Sequence, residues 1–400
     1  MRFAIISHVL PPSPSGQSVV LYRILSDVNP INYYLIGAGE VLQQEKRAGG
    51  DNLFHLSGHY YPLPPELTVS RPTRFGLSNI RYLINIFLCI YTRTRNILGI
   101  LRREPNTKAI IACTADLANI PAGFLASKIA HIPFFAYIFD DYVFQWTGKD
   151  RLFAKLVAPF IFKHSAGIIG PNEFICEEYR QRYDVNSTLV RNPCDKIELE
   201  KEPYLQWPAE SGNIKIVYTG AVYHANYDCF RNLIQAMDIL KEYHLELHIY
   251  TAQTQEQLNP QGIQSKHVFI HSHVPYNDIL EQQRKADILF LPLAFESPIP
   301  EVIRTSAPGK MGEYLASGRP VLAHVPADTF VSWYIKEHEC GVVVDTNEPA
   351  MLVQAIRYVM ENADLRHRVG ENARACARTD FSLAVAQTEF FKLFQPKARR

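Results

Sequence analysis

Short apolar runs recur along the whole chain. Each closes on a small or polar loop, and most are followed by a segment of helical period. Residues 3–6 open the series as a buried strand. The loop HVLPPSPSG follows, and 17–25 begins a helix with Val20, Leu21, Ile24 and Leu25 on one side. Strand and helix in regular alternation leave few architectures, chief among them a parallel sheet covered by helices on both faces. Further strands are expected at 33–36, 109–112, 134–139, 167–170 and 188–190, with helices at 118–130, 151–163 and 173–182. Residues 53–61 are mixed and fit neither period.

The alternation stops at KEPYLQWPAESGN, residues 201–213, which is rich in Pro, Gly and charge and has no periodicity. It restarts with strands at 214–218, 245–250, 268–271, 288–291, 321–323 and 341–344. Helices are expected at 230–243, 277–285, 349–362, 364–379 and 382–394. A chain of 400 residues is too long for one typical core. The expected organisation is an α/β domain over 1–200, a linker at 201–213, a second α/β domain over 214–379, and a terminal helical segment at 380–400.

Composition excludes several classes. A net charge of +1 argues against a chain-wide nucleic-acid role. The seven cysteines (Cys89, Cys113, Cys176, Cys194, Cys229, Cys340 and Cys376) are scattered, and no CxxC occurs. That suits a reducing cytoplasm and gives no zinc signature. The amino-terminal apolar run ends at Ser7, too early for a secretory leader, and the run near 83–91 is far below a membrane-spanning length. His271 and His273 flank one serine, a weak metal pair more simply read as packed or surface side chains.

One local asymmetry stands out. Residues 71–108 carry Arg71, Arg74, Arg81, Arg93, Arg95, Arg102, Arg103 and Lys108 against Glu104, with LINIFLCIY between the charges. A long domain helix with its apolar side on a sheet accounts for this pattern. So does a basic amphipathic helix lying on an anionic membrane.

The richest motif is SAPGKMGEYLASGRPVLAH, residues 306–324. Pro308 and Gly309 suit a tight loop. Lys310, Glu313 and Tyr314 then fall at helical spacing, which puts Lys310 and Glu313 on one face near the helix start. Gly318 suits a left-handed cap, and Val321-Leu322-Ala323 reads as a buried strand. First-turn amides plus a lysine make a plausible anion-binding device. Two other features stand at strand ends, where parallel sheets bind ligands. Gly16 follows the first strand. Asp140-Asp141 follows the strand ending at Phe139, where one of the pair suits helix capping.

With these segments in view, the chain resembles the GT-B glycosyltransferases, specifically the retaining group called glycosyltransferase family four. IVYTGAVYHANYDCFRNLIQAM resembles the opening strand–Gly–loop–helix of that family's donor domain, and ADILFLPLAF the strand before its donor loop. APGKMGEYLASGRPVLAH resembles its loop–helix–strand, of which E-x-x-A-x-G-x-P-V is the most recognisable part. PPSPSGQS, and GIIGPNEFICEEYRQRY followed by VRNPCD, resemble segments of its first half more loosely.

The resemblance implies two facing Rossmann-like domains with a cleft. It implies a nucleoside-diphosphate sugar held mainly by the second domain, a sugar or lipid-linked acceptor met by the first, and a last helix crossing back. Glu313 matches the glutamate that holds the donor ribose, and Tyr314 follows it. Lys310 resembles the lysine of a subgroup with P-x-K-x-x-E-Y and would meet the diphosphate, with Arg304 as a second cation. Gly16, Gly220 and Gly309 fall in the donor loops. Thr305 stands where the family often has a sugar-contacting glutamate, with Glu301 and Glu296 nearby. The Gly220 loop, AVYHANYD, lacks the family's usual Arg or Lys. Asp140 resembles the aspartate of a subgroup and is the candidate to orient the acceptor or act as base.

The implied activity is glycosyl transfer with retention, in cell-surface polysaccharide or glycolipid synthesis. The enzyme would be cytoplasmic or peripheral on the membrane, with no cofactor, no metal and no nucleic-acid partner. A catalytically silent nucleotide-sugar binder and a nucleotide-sugar epimerase share the architecture.

Overall fold

The computed structural model of the protein describes residues 1–13, 15–38, 54–65, 68–69, 77–201, 207–208, 212–272 and 274–394. Its chain divides into two compact units, Met1–Arg191 with Gln387–Arg400, and Asn192–Ala386.

The first unit runs β1 (Arg2–Ile6), α1 (Gly16–Leu25), β2 (Tyr33–Ala38), β3 (His59–Leu63), α2 (Leu77–Arg103), β4 (Thr107–Cys113), α3 (Asn119–Ala130), β5 (Phe134–Tyr137), α4 (Gly148–Lys163), β6 (Gly167–Gly170), α5 (Glu173–Tyr183) and β7 (Ser187–Leu189). The sheet order is β3-β2-β1-β4-β5-β6-β7, with every pairing parallel. β1, β2 and β4 are buried on both faces, which is why they read as unbroken apolar runs. β3 reads poorly in sequence because it is an edge strand. Pro62 is tolerated there, where a missing N–H breaks no central ladder.

The second unit runs α6 (Lys196–Glu200), β8 (Ile214–Thr219), α7 (Tyr227–Ile239), β9 (Leu245–Tyr250), α8 (Gln255–Leu258), β10 (Val268–His271), α9 (Tyr276–Arg284), β11 (Ile288–Pro292), α10 (Pro300–Thr305), α11 (Lys310–Ser317), β12 (Val321–His324), α12 (Phe330–Glu337), β13 (Val342–Val344), α13 (Pro349–Glu361), α14 (Ala363–Thr379) and α15 (Leu383–Lys392). Its sheet, β10-β9-β8-β11-β12-β13, is also wholly parallel. The expected linker lies partly outside the described residues, at 202–206 and 209–211.

α15 begins in the second unit, and its last turns belong to the first. There Phe390 and Phe394 pack on Phe3 of β1, with ring centroids 5.9 and 4.9 Å away. Gln387 donates to the Ile24 carbonyl at the end of α1.

α2 settles at Leu77–Arg103, and Lys108 falls on β4 rather than in a helix. Arg71 and Arg74 lie outside the described residues. Cys89, Ile90, Ile97 and Ile100 bury one side of α2 in the sheet's core, as a domain helix requires. Helices α10 and α12 have no counterpart in the sequence reading. α10 is six residues long, and the run that contains α12 looks apolar without a clear period.

Candidate functional site

In a doubly wound sheet the strand order reverses between two neighbours, and loops at their carboxyl ends part to leave a crevice. In the second unit that point lies between β8 and β11. β8 ends at Thr219 and runs into Gly220, while α11 brings Lys310 and Glu313 to the same place.

Gly220 has φ +118°, a conformation that favours glycine. A Cβ built there would stand 2.9 Å from Lys310 Nζ and 3.3 Å from its Cε. The lysine therefore lies directly against the glycine main chain. Its ammonium also sits over the ring of Tyr218, 3.8 Å from the centroid, a cation–π contact. That ring is locked at its far end. The Tyr218 hydroxyl donates to the Ala221 carbonyl (2.5 Å) and accepts from Asn226 Nδ2 (3.1 Å). Burial is the main influence on the lysine and lowers its pKa to about 7, against a smaller upward pull from Glu313. The loop after β8 has no Arg or Lys of its own, and α11 delivers a cation to that very spot.

Glu313 sits one turn along α11 and is 8% exposed. Its Oε2 accepts from Gln283 Nε2 of α9 at 3.3 Å, and the same nitrogen donates to Thr219 Oγ1 at 3.1 Å. Tyr314 follows but points into the core. Its hydroxyl accepts the Thr219 N–H at 2.9 Å. The pair thus divides the work: Glu313 stays at the edge of the site, while Tyr314 fixes the end of β8 from beneath. Gln283 and Tyr218 were missed by sequence reasoning, because nothing local in EQQRK or IVYTG marks them. Gly309 precedes α11, with open space where a Cβ would go, and the helix is closed by Gly318 at φ +73°, the left-handed cap its sequence suggests. The Ala307 carbonyl in the preceding loop accepts from Asn192 Nδ2.

The loop after β11 is held by one carboxylate. Asp228 Oδ2, in the first turn of α7, accepts the Phe295 and Glu296 amides at 2.7 and 2.9 Å. Sequence periodicity starts this helix at 230, which would leave Asp228 in a loop. Asp228→Ala strands those two amides and that of Cys229, which Oδ1 accepts, and the second unit should lose about 1–3 kcal/mol. Urea unfolding read by a probe in that unit checks this, and Asp228→Asn should recover part of the loss. Thr305 is buried and its hydroxyl donates back to the Glu301 carbonyl (3.1 Å), so it offers nothing to a ligand through that bond. Glu301 opens α10 and Arg304 lies in its last turn. Glu296 is exposed on the pinned loop.

In the first unit the reversal lies between β1 and β4. Gly16 is the first residue of α1, exposed, with nothing near the position of a Cβ, and Ser15 caps the helix through Ser18 N–H. Pro14, in the same loop, lies outside the described residues. The two aspartates after β5 separate cleanly. Asp141 is buried, accepts the Val143 and Phe144 amides at 2.8 and 2.9 Å, and pairs with Arg182. It takes the capping role. Asp140 keeps a solvent-accessible side chain, while its amide and that of Phe139 donate to Thr114 Oγ1. Surrounding protein, then the charge of Asp141, push its carboxyl above the ordinary range.

His248 pairs through Nδ1 with Nε2 of His271 on the neighbouring strand at 2.9 Å, and its own Nε2 meets Glu246. His273 lies outside the described residues, and no cluster fit to hold a metal occurs among the described ones.

Residues 213–362 match the family model described as glycosyl transferases group 1. No curated protein matches the chain in sequence. Solved structures match along its full length at low identity. A glycosyltransferase from Rickettsia africae is 14% identical with a TM-score of 0.66, over 99% of this chain and 100% of that one. HepE of Anabaena in complex with UDP-glucose is 14% identical with a TM-score of 0.67, over 98% and 99%. Sucrose-phosphate synthase from Thermosynechococcus elongatus is 12% identical with a TM-score of 0.69, over 98% of each chain. The fold is that of the GT-B glycosyltransferases, and the stretch similar to the group 1 glycosyl transferases lies within the second unit.

Proposed function

We propose that the protein transfers a glycosyl group, with retention, from a nucleoside-diphosphate sugar to an acceptor hydroxyl. The observation that carries the reading is Lys310, half-buried over Tyr218 and against Gly220, one helical turn from Glu313 at the end of β8. A half-buried cation that no carboxylate among the described residues bridges suits a ligand that brings its own negative charge. A carboxylate one turn on can accept both vicinal hydroxyls of a ribose. Both lie inside the stretch that matches the group 1 family.

In the reaction the bond from the anomeric carbon to the diphosphate oxygen breaks, and the acceptor oxygen bonds to that carbon on the same face. The acceptor proton passes to the departing phosphate oxygen. Negative charge grows on the diphosphate, and Lys310 meets it as it forms. Gly220 and Gly309 let the diphosphate approach main chain, and Arg304 is a second cation. Tyr314 is a positioning residue that acts through Thr219. With Thr305 turned inward, we assign the sugar end to the loop after β11 and to Glu296. Asp140 is our candidate for the acceptor side, as base or orienting group. The acceptor is a sugar or a lipid-linked sugar, in cell-surface polysaccharide or glycolipid synthesis.

Thermal shift against nucleoside diphosphates and their sugars, UDP-glucose first, tests the donor. A ligand at a hundred times its Kd should raise Tm by about 2–4 °C. Release of the diphosphate on adding acceptor tests the transfer. Binding with no release across acceptors would point to the silent binder. Sugar isomerisation without acceptor would point to the epimerase.

A further inference from the structure

Three helices of the first unit keep a face outside that the transfer reaction does not use. α2 buries one apolar side in the core, yet Ile84, Phe87 and Tyr91 line its outer side, 49%, 57% and 61% exposed. Arg95 and Arg102 continue that stripe at helical spacing. α3 adds Ile129, and α4 adds Leu156 and Phe160, 76% and 62% exposed. Single exposed apolar residues are normal. Here ten of the eighteen large ones exposed among the described residues come from three helices, and such clustering marks an interaction surface.

The three helices form one continuous surface. Phe87 of α2 meets Phe153 of α4 with ring centroids 6.0 Å apart, and Phe124 of α3 meets Phe160 at 5.8 Å. Lys128 of α3 donates to the His164 carbonyl at the end of α4. Between α2 and α3 runs a groove of about 790 Å³, walled by Phe87, Tyr91, Leu125 and Ile129, with Arg95 and Arg102 towards the carboxyl end of α2.

Charge selects the occupant. The helices carry four basic residues on α2 besides Arg93, which is buried and paired with Asp116, one on α3 and four on α4, against one acid, Asp150. That acid already accepts the Tyr82 hydroxyl at 2.6 Å. A second copy docking by the same face would set like charges against each other. Nucleic acid would use the cations and leave the aliphatic side chains in water. An anionic bilayer satisfies both, with aliphatic chains among the acyl groups and Arg and Lys at the headgroups. Among the described residues no helix is long and apolar enough to cross a membrane. The chain would lie on the surface.

We propose that α2, α3 and α4 together dock on an anionic lipid bilayer, the α2–α3 groove taking an acyl chain whose phosphate meets Arg95 and Arg102. The proposal does not depend on the transfer reaction, and its test reads binding alone. The full chain is sedimented with vesicles of phosphatidylcholine and phosphatidylglycerol in equal parts, and with phosphatidylcholine alone. Binding should be at least about tenfold tighter to the mixed vesicles and should weaken with salt. Arg95→Gln with Arg102→Gln should weaken it by about twenty- to thirtyfold, near fivefold per charge. Leu156→Ser with Phe160→Ser should weaken it at least about tenfold. Lys241→Gln with Lys266→Gln, exposed on the other unit, should change nothing. Circular dichroism confirms that the exposed-site variants fold. Equal binding to both vesicles, insensitivity to the face variants, or no binding would overturn the proposal. So would a dimer in lipid-free solution that Leu156→Ser with Phe160→Ser dissociates.

Discussion

Lys310→Met is expected to cut glycosyl transfer by about a hundred- to a thousandfold while making the ligand-free protein more stable. The loss follows from removing the charge that meets the leaving diphosphate, the size seen when one preorganised electrostatic partner is deleted. The gain follows from desolvation. Burial brings the lysine from its ordinary 10.5 to about 7, so the folded protein at neutral pH holds a costly, partly protonated amine. Methionine fills the same space over Tyr218 without that cost. Allowing for solvent screening at a half-buried side chain, the gain is on the order of 1 kcal/mol.

Its pH dependence has a definite sign. Between pH 7 and 10.5 the unfolded chain holds a proton on this lysine that the folded chain lacks, so Lys310 lowers stability fully below about 7 and progressively less as pH rises. The advantage of Lys310→Met should fade over the same window. Diphosphate binding runs the other way, because it draws a proton onto the lysine. Affinity should fall above about pH 7, by up to tenfold per pH unit, and calorimetry in buffers of different ionisation heat should show proton uptake. Both effects should vanish in Lys310→Met. An unchanged pH profile would remove the lysine from the diphosphate site.

Glu313→Gln is expected to erase the preference for ribose over deoxyribose. On the proposed reading, the carboxylate supported by Gln283 accepts the two ribose hydroxyls, and loss of a charged acceptor costs about 1.5–3 kcal/mol, or ten- to over a hundredfold in donor affinity. A 2′-deoxynucleoside diphosphate should bind the wild type about tenfold or more weakly. It should bind Glu313→Gln nearly as well as its ribose counterpart does. If the variant keeps the wild-type preference, Glu313 holds something else. The readout is a ratio of affinities, so general damage to the unit would not mimic it.

The sequence made the sheets and the charged helix start legible for local reasons. β1, β2 and β4 are continuous apolar runs, and Lys310, Glu313 and Gly318 declare themselves by spacing and cap chemistry within one short helix. What it hid depends on which strands become neighbours. Tyr218 becomes a platform only because α11 packs beside β8, and Gln283 reaches Glu313 only because α9 ends near both. Adjacent aspartates look alike in sequence. Asp141 becomes the structural one because Arg182, 41 residues on, lies within reach. The outer stripe of α2 was visible as residues, but its continuity with α3 and α4 was not, since those helices adjoin through tertiary packing. Thr305 looked like a gap in a motif and turns out to be a buried helix residue bonded to its own turn.

The seat of Phe3 has a consequence for biogenesis. The ring of this third residue is 1% exposed, and Phe390 and Phe394 supply part of its cover. A ribosome makes those partners some 390 residues later. Domains ordinarily fold in the order they emerge. Here the first sheet must wait with an apolar patch on one face uncovered until the second unit has been made. Nascent chains stalled before Phe390 should therefore expose that patch and bind chaperones, although every strand of the first sheet is already in hand.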